Sequence, residues 1–427
     1  MSDPLVIGPI LRYVDETSAA VWVETRAPAT VAVAAAGRRW EARTFNVHGH
    51  HYALVEVEGL EPGSVSDYTV DVDGEREWPP AESTMPPSRI ATLAPGQDLR
   101  MAFGSCRMSV PHDAETNREH GVDALRAYAR HLATTPPEDW PDLVLFLGDQ
   151  VYADETSPEM QKFIASRRDI LQPPGTELQD FEEYTHLYFL AWTEPTNRWL
   201  LSTLPSAMIF DDHDIRDDWN TSAQWRRDIA REPWWHDRIV GGLASYWIYQ
   251  HLGNLSPVDR AKDEIWSQIT AAQHEGDDRD WGGVLDAFAE RADEHPDSYQ
   301  WSYVRDIGRN RVIVVDSRAS RVLQPDRRSI VDDDEMAWLD AQMQGGFDHV
   351  FVGTSLPFLL SKGLHYFEAW NEAVSTGAWG SRAASVGERI RRAVDLEHWA
   401  AFHEGFQQVA AMAADMVAGR RGEAPAS

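Results

Sequence analysis

The stretch Leu143-Val144-Leu145-Phe146-Leu147-Gly148-Asp149 decides the fold of the larger part of this chain. Its continuous apolar run, without polar alternation, predicts a strand that is buried on both faces of an α/β sheet. Gly148 allows the backbone to turn sharply, which leaves the Asp149 carboxylate exposed at the end of the strand. Ligands of such sheets gather beyond the carboxyl ends of the strands, so Asp149 is a candidate site residue.

Four more runs have the same layout, an apolar core followed by a polar cluster. They occupy residues 101–106, 208–213, 312–318 and 350–355. Because the carboxyl ends of parallel strands meet at one edge of a sheet, the Cys, Asp, His and Arg residues after these runs predict a single site.

The chain before residue 95 has a different pattern. Short alternating segments at 19–24, 30–34, 51–57 and 68–72 are typical of a β-sandwich, and Pro-rich stretches then lead to Pro95-Gly96. We therefore predict two domains, an N-terminal β-sandwich of the fibronectin or immunoglobulin kind over residues 1–95 and an α/β domain over 98–427.

Composition excludes several classes of protein. The 427 residues carry a formal net charge of −30, which argues against nucleic acid and membrane surfaces as partners. A single cysteine, Cys106, excludes a disulfide framework and a Cys-rich zinc module. No apolar run approaches the ~18 residues of a membrane span, and the first residues do not resemble a signal peptide. These features predict a cytoplasmic protein.

The residues after the apolar runs favour metal chemistry. Asp211-Asp212-His213-Asp214 surrounds an imidazole with carboxylates, which would repel one another unless cations lay among them or some stayed protonated. A Cys106 thiolate and a Tyr152 phenolate would suit a transition metal such as iron, whereas the surplus carboxylates suit hard cations. Each element also has a simpler explanation, since Gly-Asp is a common turn and the acidic tetrapeptide could begin a helix.

Other candidate motifs have structural interpretations. Alternation places His48 and His50 on one face of a strand, which is favoured over a metal cluster with His51. The acidic run 332–335 is better explained as a helix N-terminus than as a calcium loop. Residues 238–252 carry aromatic side chains at helical spacing, which predicts a helix facing the core.

Together, Phe103-Gly104-Ser105-Cys106, Leu147-Gly148-Asp149-Gln150-Val151-Tyr152, Phe210-Asp211-Asp212-His213-Asp214 and Val315-Asp316-Ser317-Arg318 resemble the PhoD-like alkaline phosphatases, a family of calcineurin-like metallophosphatases. The resemblance extends over nearly the whole chain, because that family also has an N-terminal β-sandwich. It implies a four-layer α/β/β/α domain that hydrolyses phosphate esters at a site containing iron and calcium, with small-molecule phosphate esters as substrates.

The resemblance also implies roles for individual residues. Cys106 and Tyr152 would bind iron, Asp149 would bridge the metals, and Asp212 would hold the second metal. His213 would be the catalytic histidine. Arg318 would bind the phosphate, a task that suits its planar guanidinium.

The sequence departs from the family pattern at two places. Ala153 stands where an arginine often follows the tyrosine, which puts one phosphate contact in doubt. The family's C-terminal Gly-Asp-x-His motif does not occur after Gly353, which predicts either a truncated member or a lineage that has lost the motif.

The alternative function is a non-catalytic protein that binds a phosphorylated ligand or a partner. Neither monoester or diester preference nor the oligomeric state is indicated, and members of the family are often exported.

Overall fold

The protein is described by a computed structural model that covers residues 3–324 and 327–422. The polar end of the chain, residues 423–427, lies outside the described residues. The predicted domain boundary between residues 95 and 98 falls between two strands, Arg89–Ala91 and Met101–Gly104, and stays a prediction.

The N-terminal region is made of antiparallel strands in two sheets. Its strands are β1 Leu5–Val14, β2 Ser18–Thr25, β3 Thr30–Ala35, β4 Arg38–Arg43, β5 Phe45–Val47, β6 His50–Glu58, β7 Val65–Val72, β8 Glu75–Trp78 and β9 Arg89–Ala91. One sheet has the order β1-β2-β6-β5, and the other has the order β4-β3-β7-β8, with β9 also paired to β7. The four strands predicted from alternation are all present.

Alternate side chains of β2 point to the sandwich core and to the second region, so this strand contacts both. Val21 and Val23 of β2 lie in the core between the two sheets. Trp22 points the other way, and its ring lies 5.3 Å from that of Tyr249 and 6.5 Å from that of Trp192, measured between centroids. The outer face of the sandwich is therefore buried against the second region.

The second region contains two further three-stranded sheets. Its strands are β10 Met101–Gly104, β11 Leu143–Leu147, β12 Ser206–Ile209, β13 Tyr303–Ile307, β14 Asn310–Val315, β15 Val322–Gln324, β16 Arg327–Ser329 and β17 His349–Thr354. Parallel strands form the sheet β10-β11-β12, and β13-β14-β17 form the other sheet, in which β14 and β17 are parallel. The five apolar runs all form strands, but they are divided between two sheets.

The two sheets face each other with helices outside. A Cβ atom on Gly353 would lie 3.0 Å from Leu147 Cδ2, so β17 and β11 approach closely. Val312 and Val314 face this inner layer, whereas Ile313 and Val315 pack with helices on the outer side. The mixed α/β fold class, with a sheet-rich N-terminal region before an α/β domain, is confirmed.

Helices fill the connections between these strands. They are α1 Thr116–Glu119, α2 Ala124–Leu132, α3 Pro158–Arg167, α4 Phe181–Trp192, α5 Pro195–Thr203, α6 Ala223–Ile229, α7 Trp235–Tyr246, α8 Pro257–Arg260, α9 Glu264–Glu275, α10 Gly282–Glu294, α11 Asp333–Gln342, α12 Lys362–Ser375, α13 Ser381–Ala393 and α14 His403–Val417. The predicted helix 238–252 is α7 followed by a π-helical turn, Trp247–His251, and both are buried. Asp332 caps α11, as predicted, by accepting a hydrogen bond from the Glu335 backbone N–H at 2.8 Å.

Two predictions from the pattern are wrong. Strands β10 and β17 are not buried on both faces, because each lies at the edge of its sheet, and Phe103 is 71% exposed. His48 does not share a strand face with His50, because it occupies a turn with φ of +51° before β6 begins. Continuous apolar runs predict strands, but they do not show which strands have neighbours on both sides.

Candidate active site

The end of β11 is held against the end of β12 by a close backbone approach. Gly148 has φ of +102°, and a Cβ atom there would lie 2.6 Å from Asp211 Cβ. Asp149 follows with φ of +49°, and its backbone N–H donates to Asp214 Oδ2 at 2.9 Å. The sharp turn predicted after Gly148 therefore directs Asp149 to the acidic run after β12.

That acidic run forms a single 3₁₀ turn, Asp212–Asp214. Asp214 Oδ2 also accepts the Asp211 backbone N–H at 2.9 Å, and its Oδ1 accepts Gln250 Nε2 at 3.0 Å. The buried Asp214 carboxylate is thus used to connect the two strand ends. Asp211 and Asp212 remain to form the site.

Three carboxylates converge at these strand ends, and all three are buried, so the prediction that the Asp149 carboxylate is exposed is wrong. Oxygen atoms of Asp149, Asp211 and Asp212 lie within 4.8 Å of one another. Burial, together with the charges of Asp211 and Asp214, raises the pKa of Asp149 to about 9. Asp149 Oδ1 is buried and has no hydrogen-bond partner. An orphaned carboxylate oxygen among other acids fits a bound cation, which would satisfy it and offset the repulsion.

Cys106 and Tyr152 lie beside Asp149. The Cys106 backbone N–H donates to the Gly148 carbonyl at 3.2 Å, which places the thiol at the end of β11. Although Cys106 is exposed as a residue, partial burial of the thiol and the nearby Asp149 charge raise its pKa to about 12. Burial and the Asp149 charge also raise the pKa of Tyr152, whose phenol contacts Cys106. A cation at this position would favour ionised forms of both groups.

His213 is held by a carboxylate that sequence analysis did not single out. His213 Nδ1 lies 2.9 Å from Asp154 Oδ1 and 3.1 Å from Oδ2, and the Tyr152 ring stacks on the imidazole at 4.7 Å. Burial alone would lower the pKa of His213, but the bond to Asp154 outweighs it and raises the pKa to about 10. The imidazole is therefore oriented and carries a proton.

Arg318 reaches the same cluster from the protein interior. Asp316 accepts the backbone N–H groups of Arg318 and of the two residues after it, and this turn directs the side chain inward. The guanidinium is 1% exposed and forms ion pairs with Asp211, with Asp212 at 3.0 Å and with Glu397. Its predicted role in binding phosphate stays a prediction, since its donors are directed at carboxylates.

The structure thus brings all six predicted site residues into one cluster: Cys106, Asp149, Tyr152, Asp212, His213 and Arg318. Their individual roles stay predictions. Three acidic residues are added by the fold. Asp211 was visible as part of the acidic run, and Asp154 lies two residues after Tyr152 in the sequence. Glu397 had no sequence signal, because nothing near it marks a site.

A groove of about 770 Å³ opens beside Cys106 along the free edge of β10. Phe103, Val122 and Tyr128 contribute to its apolar lining, and Gln150 lies at the end near Asp149. Grooves of this size accommodate small organic ligands. The groove adjoins the acidic cluster, so a molecule bound at the cluster has space for an apolar group.

Two facing sheets flanked by helices, with an acidic cluster at their strand ends, define an α/β protein with a candidate metal site. Residues 113–277 match the family described as PhoD-like phosphatase, and residues 2–90 match a family described as a domain of unknown function, DUF7800. Residues 113–277, less than half of the chain, are therefore similar to the PhoD-like phosphatases.

Comparison with solved structures shows a similar fold. The structure described as "Structure of PhoD" has a TM-score of 0.56 at 15% identity, over 84% of this chain and 63% of that chain. This chain thus spans less than two thirds of that protein. The type III pullulan hydrolase from Thermococcus kodakarensis has a TM-score of 0.16 at 10% identity, over 69% of this chain and 59% of that chain. A TM-score this low does not indicate a shared fold. The comparison with curated proteins finds no match.

Proposed function

We propose that this protein hydrolyses phosphate esters of small molecules, with cations bound at the acidic cluster. Two observations carry the proposal: Asp149 Oδ1 is buried and unpartnered, and carboxylate oxygens of Asp149, Asp211 and Asp212 lie within 4.8 Å of one another. A cluster of like charges is costly unless cations compensate it. The PhoD-like phosphatase domain supports phosphate esters as the substrate class.

The donor atoms favour two kinds of cation. Cys106 and Tyr152 offer sulfur and phenolic oxygen, which suit iron, and Asp212 offers carboxylate oxygen, which suits calcium. Asp149 lies next to Cys106 on one side and to Asp212 on the other, so it would help to hold both cations. Bound cations would supply positive charge for the phosphate oxygens and a lowered pKa for an attacking water.

His213 is placed to move a proton. Asp154 occupies Nδ1, so Nε2 is the nitrogen that can act on a substrate near Asp212, and it lies 3.9 Å from Asp217 Oδ1. We expect His213 to give its Nε2 proton to the departing alkoxide, which makes the leaving group neutral. Asp154 acts as a positioning residue, because it fixes the orientation of the ring and keeps the proton on Nδ1 when Nε2 gives up its own.

The buried guanidinium of Arg318 contributes positive charge to the site from the protein interior. Its guanidinium lies against Asp211 and Asp212 and partly compensates their charge before any cation binds. If cations were held by Asp211 and Asp212, the guanidinium donors that face these carboxylates would be available to a phosphate oxygen, while Glu397 would continue to hold the side chain. Balancing the charge that develops on the phosphate would lower the barrier to transfer.

Hydrolysis of a chromogenic phosphomonoester and a chromogenic phosphodiester tests the proposal. We expect turnover with iron plus calcium and loss of turnover with a chelator. His213→Ala should lower turnover while metal content stays nearly intact. Chelator-insensitive turnover would refute the metal site, and equal turnover in the variant would refute the role of His213. No turnover with any metal would instead favour the non-catalytic binding protein.

None of the helices in the described part of the chain has the length and apolar character needed to cross a bilayer.

A further inference from the structure

The groove beside Cys106 is built mainly from apolar side chains of three elements. Its lining comes from β10, β11 and α2, and includes Met101, Phe103, Leu125, Tyr128 and Phe146. Its volume of about 770 Å³ lies in the range of pockets that hold small organic molecules. The groove therefore suits an apolar group of small-molecule size.

The groove and the acidic cluster share a segment of backbone. Cys106 lines the groove, and its thiol lies beside the Asp149 carboxylate. The next residue, Arg107, donates its backbone N–H to the Asp149 carbonyl at 3.1 Å. Gln150, which follows Asp149 in the chain, also lines the groove. One end of the groove therefore lies at the cluster where a phosphate ester would bind.

The charged side chains of the groove neutralise each other. Among the described residues that line it, Arg107 and Asp123 carry charges at neutral pH, and the other basic groups are the imidazoles of His112 and His120. Arg107 Nη2 donates to Asp123 Oδ2 at 3.0 Å, and Arg107 Nη1 donates to the Ala191 carbonyl at 2.9 Å. The two side chains are only 11% and 5% exposed. The groove thus holds no free guanidinium, ammonium or carboxylate for a second charged group of a substrate.

Two large apolar side chains of the groove face solvent. Phe103 on β10 is 71% exposed, and Val122, shortly before α2 begins, is 70% exposed. They belong to different segments of the chain, yet both line the same groove. An apolar ligand in the groove would remove both side chains from water, which is favourable. The groove therefore has apolar surface left to contribute to binding.

We infer that this groove binds the alcohol part of the phosphate ester, and that this part is an uncharged alkyl or aryl group. The inference rests on the proposed phosphatase function, because that function places the phosphate at the acidic cluster. It assigns the substrate class as phosphate esters of apolar alcohols. Esters that carry a further charge, such as phosphorylated amino acids and bisphosphates, would find no partner for that charge in the groove.

A series of n-alkyl phosphates tests the inference on the full chain supplied with iron and calcium. Ethyl, butyl, hexyl and octyl phosphate have leaving groups of nearly equal basicity, so differences in kcat/KM report how well the alkyl chain is held. Each methylene that leaves water raises affinity about three- to fourfold when it is fully buried. Because the groove is open to solvent, we expect kcat/KM for octyl phosphate to exceed that for ethyl phosphate by roughly tenfold or more.

Two variants and a matched control locate the effect. Val122→Asp places a carboxylate in the apolar lining and should lower the octyl-to-ethyl ratio of kcat/KM by about tenfold. Phe103→Ser should lower the same ratio from the β10 side, because it removes apolar contact area. Val258→Asp is the control, because Val258 is 65% exposed on α8 and does not line the groove. Far-UV circular dichroism and equal urea midpoints would show that the variants are folded.

Calorimetric binding of octylphosphonate and ethylphosphonate, which are not hydrolysed, separates the groove from the phosphatase function. If no ester is hydrolysed, but octylphosphonate binds about tenfold more tightly than ethylphosphonate and Val122→Asp removes the difference, the groove is supported and the phosphatase function is refuted. Equal binding of the two phosphonates without hydrolysis would refute both.

Two results would overturn the role of the groove alone. One is hydrolysis whose kcat/KM does not change with chain length, which leaves the phosphatase function intact. The other is a chain-length effect that the Val122 and Phe103 variants do not reduce, or that Val258→Asp reduces equally.

Discussion

His50 connects the N-terminal sandwich to the second region, and its protonation should stabilise that connection. His50 Nδ1 lies 3.0 Å from Glu24 Oε1 on β2, and Nε2 lies 2.9 Å from Glu182 Oε2 on α4. The imidazole side chain is 23% exposed, and Tyr52 stacks against it at 6.3 Å. Each ring nitrogen faces a carboxylate, so the ring is held best when both nitrogens carry protons.

The magnitude follows from the pKa of this imidazole. Burial alone would lower the pKa, but the bonds to Glu182 and Glu24 outweigh it and raise the pKa of His50 from 6.5 to about 9. A rise of this size corresponds to about 3 kcal/mol of folding free energy, which partial exposure reduces to roughly 2–3 kcal/mol. Because the folded pKa is raised, this stabilisation is complete below pH 6.5 and disappears as the pH rises through about 9.

Urea unfolding of the wild-type chain and His50→Gln at both ends of this pH window measures the effect. The difference in unfolding free energy between the two proteins should shrink by roughly 2–3 kcal/mol from about pH 6 to about pH 10. His186→Gln is the control, since burial lowers the pKa of this nearby histidine, the opposite direction to the shift of His50. A wild-type minus variant difference that does not change with pH would refute the reasoning.

Three further predictions concern the acidic cluster. Arg318→Met should lower the unfolding free energy by about 3–5 kcal/mol, because it leaves buried carboxylates without a counter-charge. Divalent cations should restore part of the lost melting temperature in thermal melts of the variant. Gly148→Ala should cost about 1–3 kcal/mol through its φ of +102°, and its overlap with Asp211 should weaken cation binding measured by calorimetry. Asp149→Asn should leave the cation-free melting temperature nearly unchanged, since the raised pKa already keeps this carboxyl protonated, but should abolish the rise in melting temperature on cation addition. A cation-induced rise equal to that of the wild type would contradict the last prediction.

Local patterns sufficed for the elements that build the site. The run before Gly148 forms a strand because continuous apolar residues exclude exposed or amphipathic alternatives, and Asp149 follows at its end as predicted. The acidic residues after β12 were found for the same reason. Their positions depend on short-range sequence, and parallel strands bring them together without further information.

Long-range partners were not predictable in this way. In the sequence, Asp154 is one more acidic residue after Tyr152, with nothing to mark it as a site residue. Its hydrogen bond to His213 joins residues that are 59 positions apart, and it forms only because the fold brings their two segments together. Glu397 lies 79 residues from Arg318 and has no motif of its own. Such contacts depend on the path of the chain between elements, which composition and periodicity do not encode.

The sequence by itself determined the two kinds of region, the strands and the acidic, thiol and phenol groups at their ends, because each of these follows from local periodicity and turn chemistry. Only the tertiary structure decided which strands belong to each of the two facing sheets, that β10 and β17 lie at open edges, and that Arg318 is buried among carboxylates. The physical reason is that exposure and charge compensation are properties of neighbours. A residue's neighbours across a sheet or a domain contact are set by the packing of the whole chain.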